Sequence, residues 1–550
     1  MLPNASKALH SLVLALALSH TLLPLFFLLV AADPVTVPDL SQCQLAVDRP
    51  PAGPNAMNTY LFNCCIPIVP AHKVVRFSLD AYKSPKTRVR HPAHRVSEEY
   101  IAKYNKAYAL MKALPDTDPR SFKVQADLHC AFCNGAYRQG GAAGDTPLQV
   151  HFSWLFLPWH RMYLYFHERI LASLIGDPSF ALVYWNWDDQ RDGGNVLPPM
   201  FARNGTALFD ENRSTSALSG STLIRLSPAS NTTNTTLVAF ENLNSMYQAM
   251  VTARTPELFL GGPYVLGSDL TNSTVISAPL GGSIENTIHN GIHYWTGNRS
   301  SILGEDMGTF TSAARDPVFY AHHSNVDRLW DVWRFHLPDG ERHDFNETDF
   351  LNAEFVFFDE YANMVKIKVR DVLDISKLGY KYKRVSSDKL WIRFSPVPAS
   401  NGSALPAAIA SGVPLVGPAP LNGTIDLGKK LVARVQRPSA LGVKRPEHSE
   451  EVLTIEGMDV VRNSFVQLVV FVNLPGATNT TLTSSAEYVG TFNVVPSASQ
   501  HRRLMTNLKF EIGDNLKRVG IKKDDEVVIT IIVKGTEKVT IQGLRIGYEV

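Results

Sequence analysis

The chain has 550 residues, of which 45% are apolar, and its formal net charge is +2. This is the composition of a globular protein with a large core, and the length suggests two or three domains. The nearly balanced charge gives no reason to expect nucleic acid or another highly charged partner.

The N-terminal segment is unusually apolar. A lone Lys7 precedes an apolar run over residues 9–30, and two alanines follow that run. This pattern is typical of a secretory signal peptide, which we predict over residues 1–32. An uncleaved membrane anchor is the competing interpretation, because the run is long enough to span a bilayer. Pro24 disfavours a stable membrane helix, so we expect the leader to be removed and no stable membrane association afterwards.

Glycosylation sequons also indicate that the chain enters the secretory pathway. Loops rich in Asn and Thr also produce sequons by composition, but their density here indicates a lumenal chain. An organelle transit peptide would be rich in Arg and Ser, which the leader is not. We therefore expect the secretory pathway, ending in the vacuole or the cell wall, with the thylakoid lumen less favoured. The ten sequons after the leader are at Asn204, Asn212, Asn231, Asn234, Asn272, Asn298, Asn346, Asn401, Asn422 and Asn479.

Helical periodicity dominates the middle of the chain. Residues 33–95 are rich in proline and turns and indicate an arm, and residues 177–280 look irregular. Four other segments carry apolar residues at helical spacing, several with a capping residue or an N-terminal proline. These predicted helices cover residues 97–114, 158–176, 281–295 and 316–336.

The last third of the chain changes character. Short Val- and Ile-rich runs separated by turns predict a β-sandwich over residues 451–550. Residues 385–450 are rich in Pro, Ala, Gly and Ser and indicate a loop-rich linker, with residue 385 as the alternative start of the β domain. The predicted fold class is α+β and multidomain. It has a mainly α four-helix-bundle domain over residues 33–384, followed by the β-sandwich.

Five cysteines are present, and the motif HCAFC over residues 129–133 allows three interpretations: a redox pair, half of a zinc site, or neither. In an oxidising compartment four cysteines can pair and one remains. The adjacent Cys64 and Cys65 are disfavoured as partners because such a bridge is strained. The residues alone leave both the pairing and the fifth cysteine open.

Histidines in the helical segments form two groups. In the first, His289 and His293 are four residues apart, so a helix places both rings on one face. A third ligand from a facing helix would complete a three-histidine site, and either His322 or His323 could supply it. We favour His323, because Asp327 lies one turn further along the same face and could orient it.

The second group consists of His129, His151 and His160, which come from a helix end, a loop and the first turn of another helix. Two three-histidine sites from separate elements suit a helix bundle, and imidazole-only ligation suits copper, zinc or iron. The alternative is that each histidine is a hydrogen-bonded core residue, which is usual for a single one. Six in two sets favour metal binding.

Several segments together resemble plant polyphenol oxidases, the catechol oxidase and tyrosinase family with two coupled copper ions. The resemblance covers nearly all of the chain after the leader. The segments include HCAFCNGAY, HFSWLFLPWHRMYLYFHERIL, YWNWDD, EDMGTF, RDPVFYAHHSNVDRLWDVW, GYKY and EYVGTFNVVP.

The resemblance implies specific roles for the histidines and cysteines. It implies a thioether between Cys133 and the ring of His151, which would fix that ring. It also implies disulfides between Cys130 and Cys64 and between Cys43 and Cys65, so that HCAFC is neither a redox pair nor a zinc half-site. The two implied copper sites are His129, His151 and His160, and His289, His293 and His323.

Further residues match the family's substrate site. Phe310 matches a bulky gate over the first copper, with core packing as the alternative. Glu285 matches an acidic residue that, with Asn290, holds a water proposed to deprotonate phenols. A charge at a helix N-terminus is the alternative for Glu285. Asn290 resembles members that hydroxylate monophenols, whereas Tyr294 departs from the family pattern and leaves the substrate range open.

The resemblance also implies a function. It is the oxidation of o-diphenols to o-quinones with O2 reduced to water, with monophenol hydroxylation as a further activity. The β domain would shield the copper site until an activating protease cuts within residues 385–450. The expected partners are a small phenolic substrate, O2 and that protease. The alternatives are a specialised flavonoid or phenolic biosynthetic oxidase and a hemocyanin-like O2 carrier.

Overall fold

The coordinates are a computed structural model. No helix in the part of the chain that it describes is long and apolar enough to cross a membrane. The predicted leader over residues 1–32 lies outside the described residues, as do the sequons at Asn231, Asn272, Asn401 and Asn422. The described residues are 34–48, 60–83, 86–139, 147–227, 230, 232–264, 281–399, 414, 424–461, 465–496, 503–521, 526–535 and 538–550.

Long helices lie between residues 98 and 335. All four segments with helical periodicity form helices, with ends shifted by a few residues. Ser97 caps the first of these helices, and Ser121 caps a helix over Phe122–Cys133 that the periodicity did not predict. Each serine accepts a hydrogen bond from the backbone N–H group three residues on. The helices are α1 (Glu98–Lys112), α2 (Phe122–Cys133), α3 (Phe156–Leu174), α4 (Thr235–Met246), α5 (Asn290–Thr296) and α6 (Val318–Phe335).

Two π-helical turns interrupt this regular pattern. One, Tyr247–Thr252, continues α4, and the other, Ile284–His289, leads directly into α5. Such turns are rare and are found mostly at functional sites. The shorter α-helical segments are Thr215–Leu218, Pro256–Leu260, Thr348–Asn352, Asp388–Ile392 and Gly513–Arg518.

The N-terminal arm is tied to the segments that follow α6. Two of its strands form parallel pairs, β3 with β6 and β4 with β7, while β5 pairs antiparallel with β6. The strands of this half are β1 (Ala46–Asp48), β2 (Tyr60–Phe62), β3 (Val74–Arg76), β4 (Arg88–Arg90), β5 (Glu354–Phe358), β6 (Met364–Lys368) and β7 (Tyr380–Tyr382).

The C-terminal part consists of two mainly antiparallel sheets. One has the order β13-β10-β15-β8 with β16 also on β10, and the other has the order β12-β11-β14-β9. Apolar residues of both sheets belong to the main core, as expected for a sandwich. The strands are β8 (Ile425–Asp426), β9 (Lys430–Gln436), β10 (Glu450–Val461), β11 (Gln467–Val472), β12 (Tyr488–Asn493), β13 (Arg503–Glu511), β14 (Glu526–Lys534), β15 (Val539–Ile541) and β16 (Gly543–Glu549).

The strand β9 lies inside the stretch that the sequence indicated as linker. It pairs with β14 over its whole length, so ordered β structure precedes residue 451. In β9 the apolar Leu431, Ala433 and Val435 do alternate with Lys430, Arg434 and Gln436. The prediction of a linker followed the Pro-, Ala-, Gly- and Ser-rich composition of the surrounding stretch instead.

Candidate metal centre

Three histidines meet between α2, α3 and the loop that precedes α3. His129 lies in the last turn of α2, His160 lies near the start of α3, and His151 lies in the loop. All three side chains are buried. One nitrogen from each ring and the sulfur of Cys133 lie within 4.8 Å of one another. The structure therefore brings the first predicted set together.

Hydrogen bonds define the tautomers of these rings. Because each Nδ1 donates to an oxygen, each Nε2 carries the lone pair that a metal needs. Among the described residues, the buried Nε2 atoms of His129 and His160 have no hydrogen-bond partner. The partners of Nδ1 in His129, His151 and His160 are, in that order, Phe310 O at 3.1 Å, Gln149 Oε1 at 3.0 Å and Phe156 O at 2.8 Å.

A second set begins at the junction of the π-helical turn and α5. His289 ends the turn, His293 follows one turn later, and their Nε2 atoms are 3.0 Å apart. Nδ1 of His289 donates to Oδ1 of Asn290 at 2.9 Å, and Nδ1 of His293 donates to the carbonyl of Met307 at 2.6 Å. Two lone pairs therefore converge, an arrangement that a shared cation stabilises.

Helix α6 presents two neighbouring histidines to this second set. The indole N–H of Trp187 donates to Nδ1 of His322 at 3.2 Å. This places the ring proton of His322 on Nε2, which removes that atom as a ligand. Neither ring nitrogen of His323 has a hydrogen-bond partner within the described ranges. His323 is therefore the better candidate for the third ligand.

The sequence-based reason for choosing His323 does not hold. Asp327 accepts hydrogen bonds from Arg161 at 2.5 Å and from Tyr380 and Tyr382 at 2.7 and 2.5 Å. Burial alone would raise the pKa of Asp327, but the charge of Arg161 holds it below its usual value. Asp327 thus ties α6 to α3 and β7 instead of orienting His323.

The two sets are neighbours. The rings of His160 and His323 stack with centroids 4.1 Å apart, and those of His151 and His289 are 5.8 Å apart. Burial lowers the pKa of His160 to about 3 and that of His293 to about 4. The rings are therefore neutral at pH 7, the form that binds metal.

Glu285 and Phe310 lie against these sets. The Phe310 ring centroid is 4.3 Å from that of His151, so the ring packs against a histidine of the first set. Glu285 lies in the π-helical turn and is buried, and its Oε1 accepts from the backbone N–H of Phe152 at 2.8 Å. Burial raises the pKa of Glu285 to about 8.

Strand β12 covers the π-helical turn. The Nδ2 group of Asn290 donates to the carbonyl of Asn493 at 2.7 Å, and the hydroxyl of Thr287 donates to the carbonyl of Thr491 at 2.6 Å. In return, the amide of Asn493 donates to the carbonyl of Thr287 at 2.9 Å. The C-terminal sheets therefore contact the segment that carries His289.

Sequence reasoning missed several residues that orient the histidines. Gln149 holds the ring of His151 and also donates to the carbonyl of Cys133. Its only sequence signal was its position two residues before His151. Trp187 and the carbonyl of Met307 set ring tautomers, and a backbone carbonyl leaves no signal in a sequence.

The cysteines pair as the resemblance implies. Cys133 is buried and outside these bridges, and its sulfur is within 4.8 Å of a ring nitrogen of His151. The thioether itself stays a prediction. The disulfides are Cys43–Cys65 and Cys64–Cys130.

Comparisons with known proteins match this site and fold. The common central domain of tyrosinase matches residues 119–336, the polyphenol oxidase middle domain matches 344–397, and the chloroplastic polyphenol oxidase C-terminal domain matches 424–548. A polyphenol oxidase of Malus domestica is 41% identical over 539 residues, which cover 94% of this chain and 85% of that protein. The chain belongs to the plant polyphenol oxidase family.

Solved structures resemble this polyphenol oxidase over most of its length. A latent apple tyrosinase has a TM-score of 0.76 and 39% identity, covering 87% of this chain and 100% of that one. A latent aurone synthase has a TM-score of 0.81 and 30% identity, covering 94% and 99%. The aureusidin synthase of Antirrhinum majus is 39% identical over 536 residues, which cover 95% of this chain and 90% of that protein.

The relatives contradict the predicted localisation. Polyphenol oxidases of Malus domestica, Solanum lycopersicum, Vitis vinifera and Ipomoea batatas that match this chain are all named chloroplastic. These names point to the plastid, so the prediction of the secretory pathway, with the vacuole or cell wall as destination, is wrong. The apolar run indicates passage across a membrane but does not specify which membrane, and sequons also arise by composition.

Proposed function

We propose that this chain oxidises o-diphenols to o-quinones at a pair of copper ions, with O2 reduced to water. Two diphenols give up four electrons and four protons to one O2 and yield two quinones and two waters. The observation that carries the proposal is the pair of adjacent, buried three-histidine sets.

The donors in these sets fit copper. Each set offers neutral imidazole nitrogens, which suit copper. Their buried lone pairs point toward one another, and few hydrogen-bond donors of the described chain face them. When bound, the copper ions would accept the electrons of the diphenol and pass them to O2. His129, His151 and His160 would hold one ion, and His289, His293 and His323 the other.

Three neighbouring residues would serve the substrate. Glu285 would take the proton of an incoming phenol in its carboxylate form, which the charge of two bound copper ions would favour over the neutral form that burial favours in the metal-free chain. Asn290 would orient His289 through Oδ1, and its Nδ2 group becomes available when β12 is displaced. Phe310 would restrict the pose of the substrate over the first set.

Cys133 would fix the ring of His151 through a thioether. Forming the carbon–sulfur bond removes the thiol hydrogen and one ring hydrogen together with two electrons, which O2 accepts. A ring that is held on both sides, by sulfur and by Gln149, loses little freedom when it binds metal.

The full-length chain would be latent. Contacts of β12 with Thr287 and Asn290 support this proposal, as do the similar structures described as latent. An activating protease would cut within residues 385–450, between a catalytic domain over residues 33–384 and a shield that holds residues 451–550 together with β8 and β9, because these two strands pair within its sheets. These boundaries are part of the proposal.

A specialised phenolic biosynthetic oxidase is the second candidate, favoured by the similarity to an aureusidin synthase. It would use the same site and differ only in its substrate. Monophenol hydroxylation would be a further activity of the same site. It would require Asn290 and Glu285 to deprotonate a monophenol.

The test is an assay of copper-loaded recombinant chain with a catechol and with tyramine, before and after proteolytic trimming. We expect quinone absorbance with the catechol that rises on trimming. The variant His160→Ala should abolish it, and His72→Ala, an exposed histidine, should not. Full copper loading without quinone formation after trimming would refute the proposal.

A further inference from the structure

A stripe of aromatic residues runs along α3 away from the first histidine set. Trp159, Tyr163 and His167 are spaced four residues apart, so they lie on one face of the helix. The ring centroid of Trp159 lies 4.9 Å from that of His160 and 5.2 Å from that of Tyr163. All of these side chains are buried. The stripe therefore starts in contact with a candidate copper ligand and leads into the core.

Tyr320 of α6 continues this stripe. Its hydroxyl lies 3.0 Å from that of Tyr163, and the two ring centroids are 5.6 Å apart. Its ring also stacks on His167 with centroids 3.6 Å apart and an angle of 7° between the planes. On the side of α1, its centroid lies 6.2 Å from that of Tyr108. Tyr320 therefore links α3 to α1 through aromatic contacts.

Helix α1 carries these contacts on toward the surface. Tyr100, Tyr104 and Tyr108 repeat the four-residue spacing and lie on one face. Tyr104 lies 5.2 Å from Tyr108 and 6.5 Å from Tyr100, measured between ring centroids. Tyr104 and Tyr108 are buried, whereas Tyr100 is partly exposed.

Together the contacts form a route for electrons between the surface and the first histidine set, which we call the aromatic route. Electrons pass readily between aromatic rings that are nearly in contact. Indole and phenol rings also lose an electron more easily than the rings of phenylalanine or histidine. In order from the metal centre, the aromatic route consists of Trp159, Tyr163, Tyr320, Tyr108, Tyr104 and Tyr100.

Tyr108 has a base within hydrogen-bond distance. Its hydroxyl lies 3.1 Å from Nε2 of His167. A phenol is a stronger acid than a neutral imidazole N–H, so Tyr108 donates in this bond. Burial lowers the pKa of His167 well below its usual value, so the ring is neutral and can accept a proton. Tyr163, in contrast, donates to the backbone carbonyl of Gln125, which is a much weaker base.

This pair suits a one-electron oxidation. A phenol that has lost an electron is a strong acid, so the proton of Tyr108 would move to Nε2 of His167. The products would be a neutral tyrosyl radical and an imidazolium. The indole N–H of Trp159 has no hydrogen-bond partner among the described residues, so no base there stabilises an oxidised ring next to the copper ligands.

We propose that the aromatic route supplies single electrons to the copper pair when no diphenol is bound, and that Tyr108 with His167 holds the resulting radical away from the copper ligands. The oxidant is O2 at the copper pair, so the inference rests on the proposed function. A route of this kind would protect the histidine ligands from oxidation.

The step balances in electrons and protons. The O–H bond of Tyr108 breaks, the electron travels along the aromatic route to the copper pair, and the proton goes to Nε2 of His167. Solvent supplies the protons that O2 needs to become water. A soluble enediol or diphenol that contacts Tyr100 then returns one electron, and the imidazolium returns the proton to Tyr108.

The first test treats copper-loaded full-length chain with hydrogen peroxide in the absence of diphenols. One peroxide takes up two electrons and two protons and gives two waters, so the oxidation of two tyrosines balances it. We expect a tyrosyl radical in the EPR spectrum of freeze-quenched samples, with a signal that narrows when the tyrosines are ring-deuterated. Tyr108→Phe, which removes one oxygen atom, should lose this signal. It should keep the copper content and the initial rate of catechol oxidation of the parent.

His167→Gln tests the role of the base separately. Glutamine can accept the hydrogen bond of Tyr108 but cannot take up its proton, so the signal should again be lost. The control is Tyr165→Phe, which removes the hydroxyl of another buried tyrosine of α3, whose ring packs on Phe77 and Phe166. It should keep the full signal. No tyrosyl radical in the parent, or a full signal in Tyr108→Phe or His167→Gln, would overturn the inference.

A catechol assay on the same preparations separates this inference from the proposed function. Catechol oxidation by a chain whose radical signal does not depend on Tyr108 contradicts the aromatic route and leaves the diphenol oxidase intact. A radical that depends on Tyr108, in a chain that does not oxidise catechol after trimming, contradicts the oxidase and leaves the aromatic route intact.

Discussion

The position of one proton separates two neighbouring histidines of α6. His322 accepts from Trp187 and must carry its proton on Nε2, whereas His323 has both nitrogens available in the described structure. Spacing alone could not make this distinction, because adjacent residues of a helix differ in direction but not in chemistry. The sequence favoured the better candidate for a reason that the coordinates do not support.

We predict that His323→Ala lowers the copper content of the chain by one ion and its catechol oxidation by about a hundredfold or more. His322→Ala should keep both ions, since that ring would not be a ligand. Atomic absorption on purified variants measures the first effect and quinone absorbance the second. Loss of copper in His322→Ala but not in His323→Ala would reverse the assignment.

Cys133 gives a prediction that needs no activity assay. If its sulfur is bonded to the His151 ring, the intact protein is about 2 Da lighter than the mass calculated with its disulfides alone. Peptide mapping should then recover residues 129–133 joined to the peptide that contains His151. A free thiol at Cys133 that reacts with iodoacetamide after unfolding would contradict the thioether.

Glu285 gives a prediction about stability and pH. Its folded pKa of about 8 lies above the ordinary value, so the folded metal-free chain binds more protons than the unfolded one between those two values. Stability must therefore fall as pH rises across this window, by about 1.4 kcal/mol per pH unit from this group. Below the ordinary pKa of a glutamate carboxyl, Glu285 is protonated in both states and adds no pH dependence to the free energy of unfolding.

The measurement is urea unfolding of metal-free chain at several pH values between 6 and 8. Glu285→Gln should gain stability relative to the parent as pH rises. Glu447→Gln removes a carboxylate that is 89% exposed and should follow the parent. Parallel curves for the parent and Glu285→Gln would show that the buried carboxyl is not protonated.

Among the elements, the π-helical turn before α5 joins the metal site to the shield. It carries Glu285 and His289 on one side and accepts hydrogen bonds from β12 on the other. A change in the position of β12 therefore acts directly on the backbone that holds a candidate copper ligand.

We predict that Asn493→Ala raises the catechol oxidation of untrimmed chain several-fold, because it removes the amide that donates to Thr287. A hydrogen bond of this kind contributes about 1 kcal/mol. Its loss corresponds to a change of about fivefold in the fraction of molecules in which β12 is displaced from the π-helical turn. Asn479→Ala, on an exposed turn, is the control. Equal activity of both variants, before and after trimming, would exclude this contact from latency.

Periodicity predicted the helices whose buried faces are apolar. It did not predict α2 or α4. The buried residues of α4 mix the polar Glu241, Asn242, Asn244 and Ser245 with the apolar Val238, Leu243 and Met246. Asn244 donates to the carbonyl of Thr483 at 2.7 Å, and Glu241 accepts from the backbone N–H of Thr483 at 3.1 Å. A helix whose buried face mixes polar and apolar residues has only a weak apolar stripe, so hydrophobic spacing alone does not reveal it.

Across the whole molecule, candidate ligands come from α2, the loop before α3, α3, α5 and α6. A buried network of Asp327, Arg161, Arg90 and Glu168 links α6, α3 and β4. The sequence predicted which histidines gather from the four-residue spacing of His289 and His293 and from the family resemblance of the segments that carry the others. It did not predict this network or the covering strand β12, because both depend on residues far apart in the chain.

The most direct test of the central claim is the copper content of purified full-length chain, measured together with X-ray absorption at the copper edge. We predict two copper ions per chain with nitrogen ligands and a second copper in the scattering shell beyond them. One ion or none per chain after copper loading, or two ions without a copper neighbour, would contradict the paired site.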